Sequence, residues 1–487
     1  MKKLLLTLAA MIAVLPMMAE RVERPRLVVG IIVDQMRWDF LYTNYERYGN
    51  GGFLRLLNDG LSYGNCMVDF LPTITACGHA SLYTGTTPAI HGIAGNSWWE
   101  NGERFSACGD DSVEGVGTTN KVGKKSPRNM QVTTLGDEMK LATDFRSKVI
   151  AIGLKDRAAI LPGGHAANGA FWFDGELPGY ITSSYYMKDL PKWVKDYNKK
   201  HKKDLAKDHW NTIMGVRTTM ELAREAVDGE KLGNDNVPDL LAISLSTTDA
   251  VQHNFGTRST RTDSIYLEID RQLEQLLKHL DSRVGKGNYL VFLTSDHGGT
   301  HNYKYMTSNK LPSGAWSPWG DKPKLDAYLQ GVFGVDKLIL AEAEYYFYLD
   351  NAKIAQNKLD REAVKAEAVK WLMSQPDVQW AVDVEHIDRV TMPAEIKERI
   401  VKGYHPQRSG EIYVLPVTGY FAGDRTAKGS NHGTWNQGDS HIPLIFMGWH
   451  IKPGENNTRC NMSDIVPTVC SMLHIQSPDG ALGNPLF

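Results

Sequence analysis

Four short stretches of this chain are apolar without alternation, and each runs out into polar residues that carry chemistry. "RLVVGIIVDQ" leads to Asp34, "KVIAIGLKDR" to Lys155 and Arg157, "DLLAISLSTTD" to Asp249, and "YLVFLTSDHGG" to Asp296 and His297. A strand with one wet face alternates polar and apolar residues. A run apolar on both faces is buried on both, as in a parallel sheet covered by helices. In open sheets of that kind the binding crevice lies just beyond the carboxyl ends of the strands. The pattern therefore predicts an α/β fold, a three-layer sandwich with a mostly parallel central sheet and helices on both faces. It also aims these acids, bases and the imidazole at one crevice.

The rest of the chain fits around this frame. With 487 residues, 42% hydrophobic and 23% charged, the composition is globular and large enough for one core plus insertions. No repeat or low-complexity tract is present, which excludes solenoids. "DREAVKAEAVKWLMSQP" predicts a helix with Asp360 as N-cap, Val364, Ala368, Trp371 and Leu372 on one face, and Pro376 beyond its end. It lies in a Trp-, Tyr-, Gly- and Pro-rich stretch, 303–425, read as an inserted cap because the sheet pattern resumes afterwards with "HIPLIFMGW". The catalytic domain is then expected over 26–302 and 426–487.

Residues 1–19, with Lys2, Lys3, an apolar run and Ala19 before a charged stretch, read as a secretory signal peptide. Export, with the bacterial periplasm as destination and no membrane span after cleavage, is the expectation. A formal charge of −2 and the lack of a large basic block argue against nucleic-acid binding, and "NKKHKKD" (198–204) reads as a solvated face. The five cysteines, Cys66, Cys77, Cys108, Cys460 and Cys470, form no C-x-x-C pair, which disfavours a cysteine-built metal site. Cys460 with Cys470 is a candidate disulfide.

Carboxylates and imidazoles at ligand spacings carry the strongest functional signal. Asp249 and His253 are four apart and share one face if a helix begins there. Asp296 and His297 are adjacent at a strand exit, Asp34 ends the first run, and His432 lies in the glycine-flanked loop "SNHGTW". Taken singly each has an ordinary structural explanation; taken together they form a ligand set of mixed oxygen and nitrogen donors, which suits Zn²⁺.

These residues also carry a resemblance. "VVGIIVDQMRWDFL", "LPTITACGHASLYTGTTPAIHGIAGN", "TTDAVQHNFG", "TSDHGG", "GSNHGTW" and "MSDIVPTVCSMLHI…PDGALGNPL" resemble, in order and spacing, the alkaline phosphatase superfamily. Within it they resemble the PafA-type phosphate-irrepressible enzymes, with the nucleotide pyrophosphatase/phosphodiesterases as the nearest other branch. The resemblance implies two zinc ions: one held by Asp249, His253 and His432, the other by Asp34, Asp296, His297 and the nucleophile oxygen.

"FLPTITACGHASLYTG" offers Thr73, Thr75, Cys77, Ser81 and Thr84 as nucleophiles. Pro72 favours a helix starting shortly after it, which places Thr75 in the first turn of a helix running to about Thr84, with Gly85 beyond its end. There the helix dipole and zinc coordination both favour an alkoxide. Thr73 falls before the turn, and Ser81 and Thr84 lie two or more turns on. Cys77 is the chemical rival, but the C-x-P-x-R pattern of sulfatases is absent. In the resembling branches an Asn follows the nucleophilic Thr by 21 residues, and Asn96 stands 21 after Thr75. His79 reads as a supporting residue rather than a ligand.

Lys155 and Arg157, two apart, face one way if the segment is extended. The resemblance implies that they bind the transferring phosphoryl group with Asn96, the Lys taking the place of a third, magnesium site. A dianionic monoester suits this pair, so hydrolysis of phosphate monoesters through a phosphothreonine is the expectation. A phosphodiesterase or nucleotide pyrophosphatase is the alternative, and a non-catalytic exported binding protein the remote one.

Overall fold

The four apolar runs become four neighbouring strands. The computed structural model describes residues 22–487, so the signal-peptide expectation for 1–19 lies outside the described residues. Seven strands carry the main sheet: β1 (Leu27–Val33), β2 (Gly60–Met67), β3 (Val149–Gly153), β4 (Gly169–Asp174), β5 (Asp239–Leu245), β6 (Tyr289–Thr294) and β7 (His441–Gly448). Their order is β2-β7-β6-β1-β5-β3-β4, and shorter strands at the two edges bring the sheet to 11. From β6 to β4 every pairing is parallel. β7 runs antiparallel to both β6 and β2.

Register explains why the polar exits converge. Ile32 pairs with Thr294, Val33 with Leu245, and Gly153 with Ser244, so β6, β1, β5 and β3 end within a residue of one another. Every residue of β1 is buried. Val28 and Ile32 pack into the core on one face of the sheet, Leu27, Val29, Ile31 and Val33 into the core on the other. Each such aliphatic side chain contributes about 1.5–3 kcal/mol when fully buried, which fixes both the strand and its register.

Three helices leave the carboxyl edge: α1 (Thr75–Thr84), α2 (Asp156–Gly163) and α3 (Thr247–Phe255). α1 has no polar face; every one of its residues is buried. At Gly78 it rides directly on the main chain of Asp296, and a Cβ there would stand 2.3 Å from the Asp296 carbonyl oxygen. Only glycine permits that approach.

Between β6 and β7 the chain builds a second, antiparallel sheet from Ile339–Ala343, Tyr346–Leu349, Ile412–Pro416 and Val378–Asp383, in that spatial order. α4 (Pro318–Phe333) and the helix Arg361–Met373 accompany it, the latter capped by Asp360 and burying Val364, Ala368 and Leu372. The turn between the first two of these strands holds Glu344 and Tyr345 at φ 54° and 73°. All five cysteines are free and buried. Cys460 lies in register beside Cys66, not against Cys470, because it sits on a short strand paired with β2.

Candidate active site

Asp34, Asp249, Asp296, His297, Thr75 and Lys155 meet at the carboxyl edge of β6, β1, β5 and β3, all buried. Two groups of donors stand close enough to share an ion: Asp34, Asp296 and His297, and Asp249, His297 and His432. His253 adjoins the second group, its Nε2 3.0 Å from Asp249 Oδ1, because the two residues occupy successive turns of α3. His297 borders both groups, its ring stacked on His432 at 3.7 Å. The family resemblance implies it for one group alone.

Each imidazole is oriented by the main chain. Nδ1 of His253 donates to Ser430 O at 3.0 Å, that of His432 to Thr73 O at 2.8 Å, and that of His297 to Gly298 O at 2.9 Å. With Nδ1 so engaged, each Nε2 is directed at the cluster, the arrangement a metal ligand needs; at His253 burial opposes the charged form, but Asp249 raises the pKa. On the carboxylates, Asp34 Oδ1, Asp249 Oδ1 and Asp296 Oδ2 are buried and accept no hydrogen bond. Orphaned anionic oxygens cost several kcal/mol each unless a cation satisfies them. Six side chains with these free donor atoms therefore fit a pair of divalent ions, with oxygen and nitrogen ligands of the kind zinc takes.

The electrostatics tell the same story. Burial, reinforced by Asp296, pushes Asp34 well above the ordinary carboxylate range. Burial also opposes ionisation of Asp249 and Asp296, but His253 and Lys155 hold the first well below its usual value, and His297 and His79 lower the second. Burial holds His297 and His432 below the usual imidazole range and hence neutral, as ligands must be.

Lys155 is the one ammonium among these acids. Its Nζ lies 2.7 Å from Asp34 Oδ2, 2.7 Å from Asp249 Oδ2 and 3.4 Å from Thr75 Oγ1. Burial works against its charge, but the two carboxylates raise its pKa. The extended Lys155–Arg157 segment expected from the sequence is not what forms. Lys155 is the N-cap of α2 and Arg157 already lies in its first turn, because the chain turns into helix immediately after β3. Both side chains still line one cavity, and Arg157 is near enough to pull the pKa of Lys155 and of Glu344 downward against the stronger influences that raise both. Arg157 Nη1 stands 3.5 Å from Asp156, and its buried Nε has no partner.

Thr75 opens α1, with Oγ1 also 3.4 Å from His297 Nε2. Its rivals are engaged elsewhere. Thr73 Oγ1 donates to Thr434 O and accepts from Gly433 N, tying down the His432 loop. Ser81 bonds His91 and Thr84 bonds Ala80 O. Cys77 Sγ points at Ile93 O, and burial raises its thiol pKa well above the normal range. His79 supports rather than ligates: Nδ1 lies 3.2 Å from Asp296 Oδ2 and Nε2 2.8 Å from Ser244 Oγ. Asn96 Oδ1 accepts from Ala76 N at 3.2 Å, which holds its amide beside Thr75.

Several contributors were not foreseen. Glu344 accepts from Asn96 N at 3.2 Å, and Tyr345 OH donates to His432 O, so the left-handed turn of the second sheet braces the site. The only sequence trace of this is the odd cluster "AEAEYYF". Gln35 N donates to Asp296 Oδ1 at 3.1 Å. At Gly433, φ 102° and a ring of Tyr345 2.2 Å from where a Cβ would stand leave no room for another residue.

Comparison with known proteins places this geometry. The model of the type I phosphodiesterase / nucleotide pyrophosphatase family matches residues 28–440. Alkaline phosphatase PafA of Elizabethkingia meningoseptica is 42% identical, over 96% of this chain and 94% of its own length. Alkaline phosphatase PhoV of Synechococcus elongatus is 41% identical, over 95% and 92%. A crystal structure of wild-type alkaline phosphatase PafA superimposes with a TM-score of 0.93 at 41% identity, covering 96% of this chain and 99% of that one.

Proposed function

Because the chain belongs to the type I phosphodiesterase / nucleotide pyrophosphatase family and is an alkaline phosphatase acting on phosphate monoesters, we propose that it works through two zinc ions and a covalent phosphothreonine on Thr75. One observation carries this reading. Thr75 Oγ1 stands at a helix N-terminus 3.4 Å from both His297 Nε2 and Lys155 Nζ, inside a ring of unsatisfied carboxylate oxygens.

Asp249, His253 and His432 would hold one ion, and Asp34, Asp296 and His297 the other beside Thr75. When bound, the ions lower the pKa of the threonine hydroxyl and neutralise charge on the leaving oxygen. The chain's own residues do the rest. Thr75 oxygen attacks phosphorus in line; the bond to the leaving alcohol breaks, and the phosphoryl group passes to Thr75. The α1 dipole favours negative charge at that oxygen. Lys155, bonded to both acid clusters, presents its ammonium to the phosphoryl oxygens without further reorganisation, the property that makes electrostatic catalysis effective. Arg157 and the Asn96 amide complete the set of donors, with Glu344 fixing Asn96. Water then attacks phosphorus and releases Thr75 and inorganic phosphate. Region 303–425 acts as a cap over the Asp249/His253/His432 side.

The lysine-led apolar start supports export, and among the described residues no helix is long and apolar enough to cross a membrane. The decisive assay compares p-nitrophenyl phosphate with bis-p-nitrophenyl phosphate on protein whose zinc has been counted. A preference for the monoester with about two zinc per chain is expected. A preference for the diester would make this a phosphodiesterase.

A further inference from the structure

The outer edge of the main sheet is closed by very short strands. Gly454–Asn456 and Cys460–Asn461, of three and two residues, both lie parallel to β2. A ladder of two residues makes too few hydrogen bonds to hold an edge, and such places open first. Cys460 stands directly opposite Cys66 in that ladder. Both thiols are buried and belong to one core. Neighbouring strands lie about 4.8 Å apart, inside the Cα separation of about 4.4–6.8 Å that a disulfide spans, and paired residues of a ladder leave the same face of the sheet. The other three cysteines are placed elsewhere: Cys77 Sγ is directed at Ile93 O, Cys108 lies in the turn after the strand Glu103–Ser106, and Cys470 is in the helix Ile465–Leu473.

What this edge carries gives the pairing a consequence. The strand Cys460–Asn461 runs into the C-terminal segment, where Asp464 accepts from Asn461 N at 2.8 Å and from Asn484 N at 2.9 Å. That segment closes over the end of α1. Leu482 N and Gly483 N donate to Gly85 O at 2.9 and 3.1 Å, and Pro467 stands 2.9 Å from where a Cβ on Gly85 would lie. α1 carries Thr75 at its other end. The hold of a two-residue strand on β2 therefore bears on how firmly the Thr75 helix is seated.

We propose that Cys66 and Cys460 form a disulfide when the chain folds in an oxidising compartment, a covalent clasp on the edge that seats α1. This rests on the export reading above. The thiolate of one cysteine attacks the disulfide of an oxidised thiol–disulfide oxidoreductase and expels one of its sulfurs as thiolate; the other cysteine then displaces the second sulfur from the mixed disulfide. The pair loses two protons and two electrons, and the oxidant's disulfide becomes two thiols. The step belongs to folding. Once the edge is closed, Cys460 and burial push the Cys66 thiol pKa well up and leave little thiolate to react. A link between positions so far apart in the chain also restricts the unfolded state strongly.

The test produces the full chain with its own leader in a bacterium and, in parallel, the chain without residues 1–19 refolded in a buffer of reduced and oxidised glutathione. Each active protein is denatured, alkylated without reductant and mapped by mass spectrometry. Peptides joined through Cys66 and Cys460, with Cys77, Cys108 and Cys470 alkylated, are expected in both. The oxidised protein should melt on the order of 2–4 °C above the same protein refolded with reductant, and Cys66→Ala/Cys460→Ala should show no such dependence on reductant. Five alkylated thiols in the refolded protein, Cys460 joined to Cys470, or a processed leader with both thiols free would overturn the proposal. The Cys66–Cys460 link in the refolded protein beside an unprocessed leader and free thiols in the cell would remove the export reading while the clasp stands.

Discussion

Replacing Lys155 with alanine should weaken monoester hydrolysis far more than diester hydrolysis. In the folded protein the ammonium lies 3.4 Å from Thr75 Oγ1, so phosphorus bonded to that oxygen comes within about 4 Å of Nζ. At an effective dielectric of about 20, one unit of charge at that distance is worth about 4 kcal/mol. A monoester dianion carries one such unit more than a diester monoanion. Part of the gain is matched by Asp34 and Asp249, each 2.7 Å from the same nitrogen, so the net loss should fall in the range seen when one preorganised donor is removed, about 10²–10³ in kcat. Steady-state kinetics on p-nitrophenyl phosphate and bis-p-nitrophenyl phosphate read the difference directly: the monoester-to-diester ratio should drop at least about tenfold. Equal losses on the two substrates would refute the reasoning, because Lys155 would then be structural support for the acid cluster and not a sensor of substrate charge.

Other outcomes follow from the same geometry. Chelation should abolish activity and zinc should restore it, and circular dichroism should show the fold retained, since β1, β3, β5 and β6 are held by apolar burial rather than by the ions. Cys77→Ala should keep most of its activity, and thiol reagents should not inactivate the native enzyme, since that thiol is buried, directed at Ile93 O and raised in pKa. Asn96→Ala should lower kcat/KM by about 10-fold to 10²-fold through a lost phosphoryl donor, and Glu344→Gln less, with part of its effect appearing in KM. Because Glu342 is raised from 4.5 to about 7 in the fold, its contribution to stability is full below about pH 4.5 and is lost as pH rises through 7. Melting profiles of Glu342→Gln should therefore gain on the wild type between pH 5 and 8.

Much of this was legible in the residues. Runs such as "VVGIIV" are apolar at every position because both faces of the strand are buried, and that alone placed Asp34, Lys155, Asp249 and Asp296 at one edge. Asp249 and His253 meet because four residues make one helical turn, a spacing any sequence displays. For Lys155 and Arg157 the alternation of a strand was the wrong premise: β3 ends at Gly153 and α2 begins at Asp156, so Lys155 caps a helix whose first turn carries Arg157, and both line one cavity all the same. Glu344 and Tyr345 were invisible because their reach to Asn96 and His432 depends on a left-handed turn nearly 250 residues away in sequence from the first of them. Contacts made through the second sheet have no local period to read.

The central claim is that Thr75 carries the phosphoryl group. Acid-quenching the enzyme during turnover of a ³²P-labelled monoester and sequencing the labelled peptide tests it directly. The account predicts label on Thr75 in the wild type, and in Thr75→Ala no label and no turnover with zinc content unchanged. Label on another residue, or sustained monoester turnover by Thr75→Ala, would contradict it.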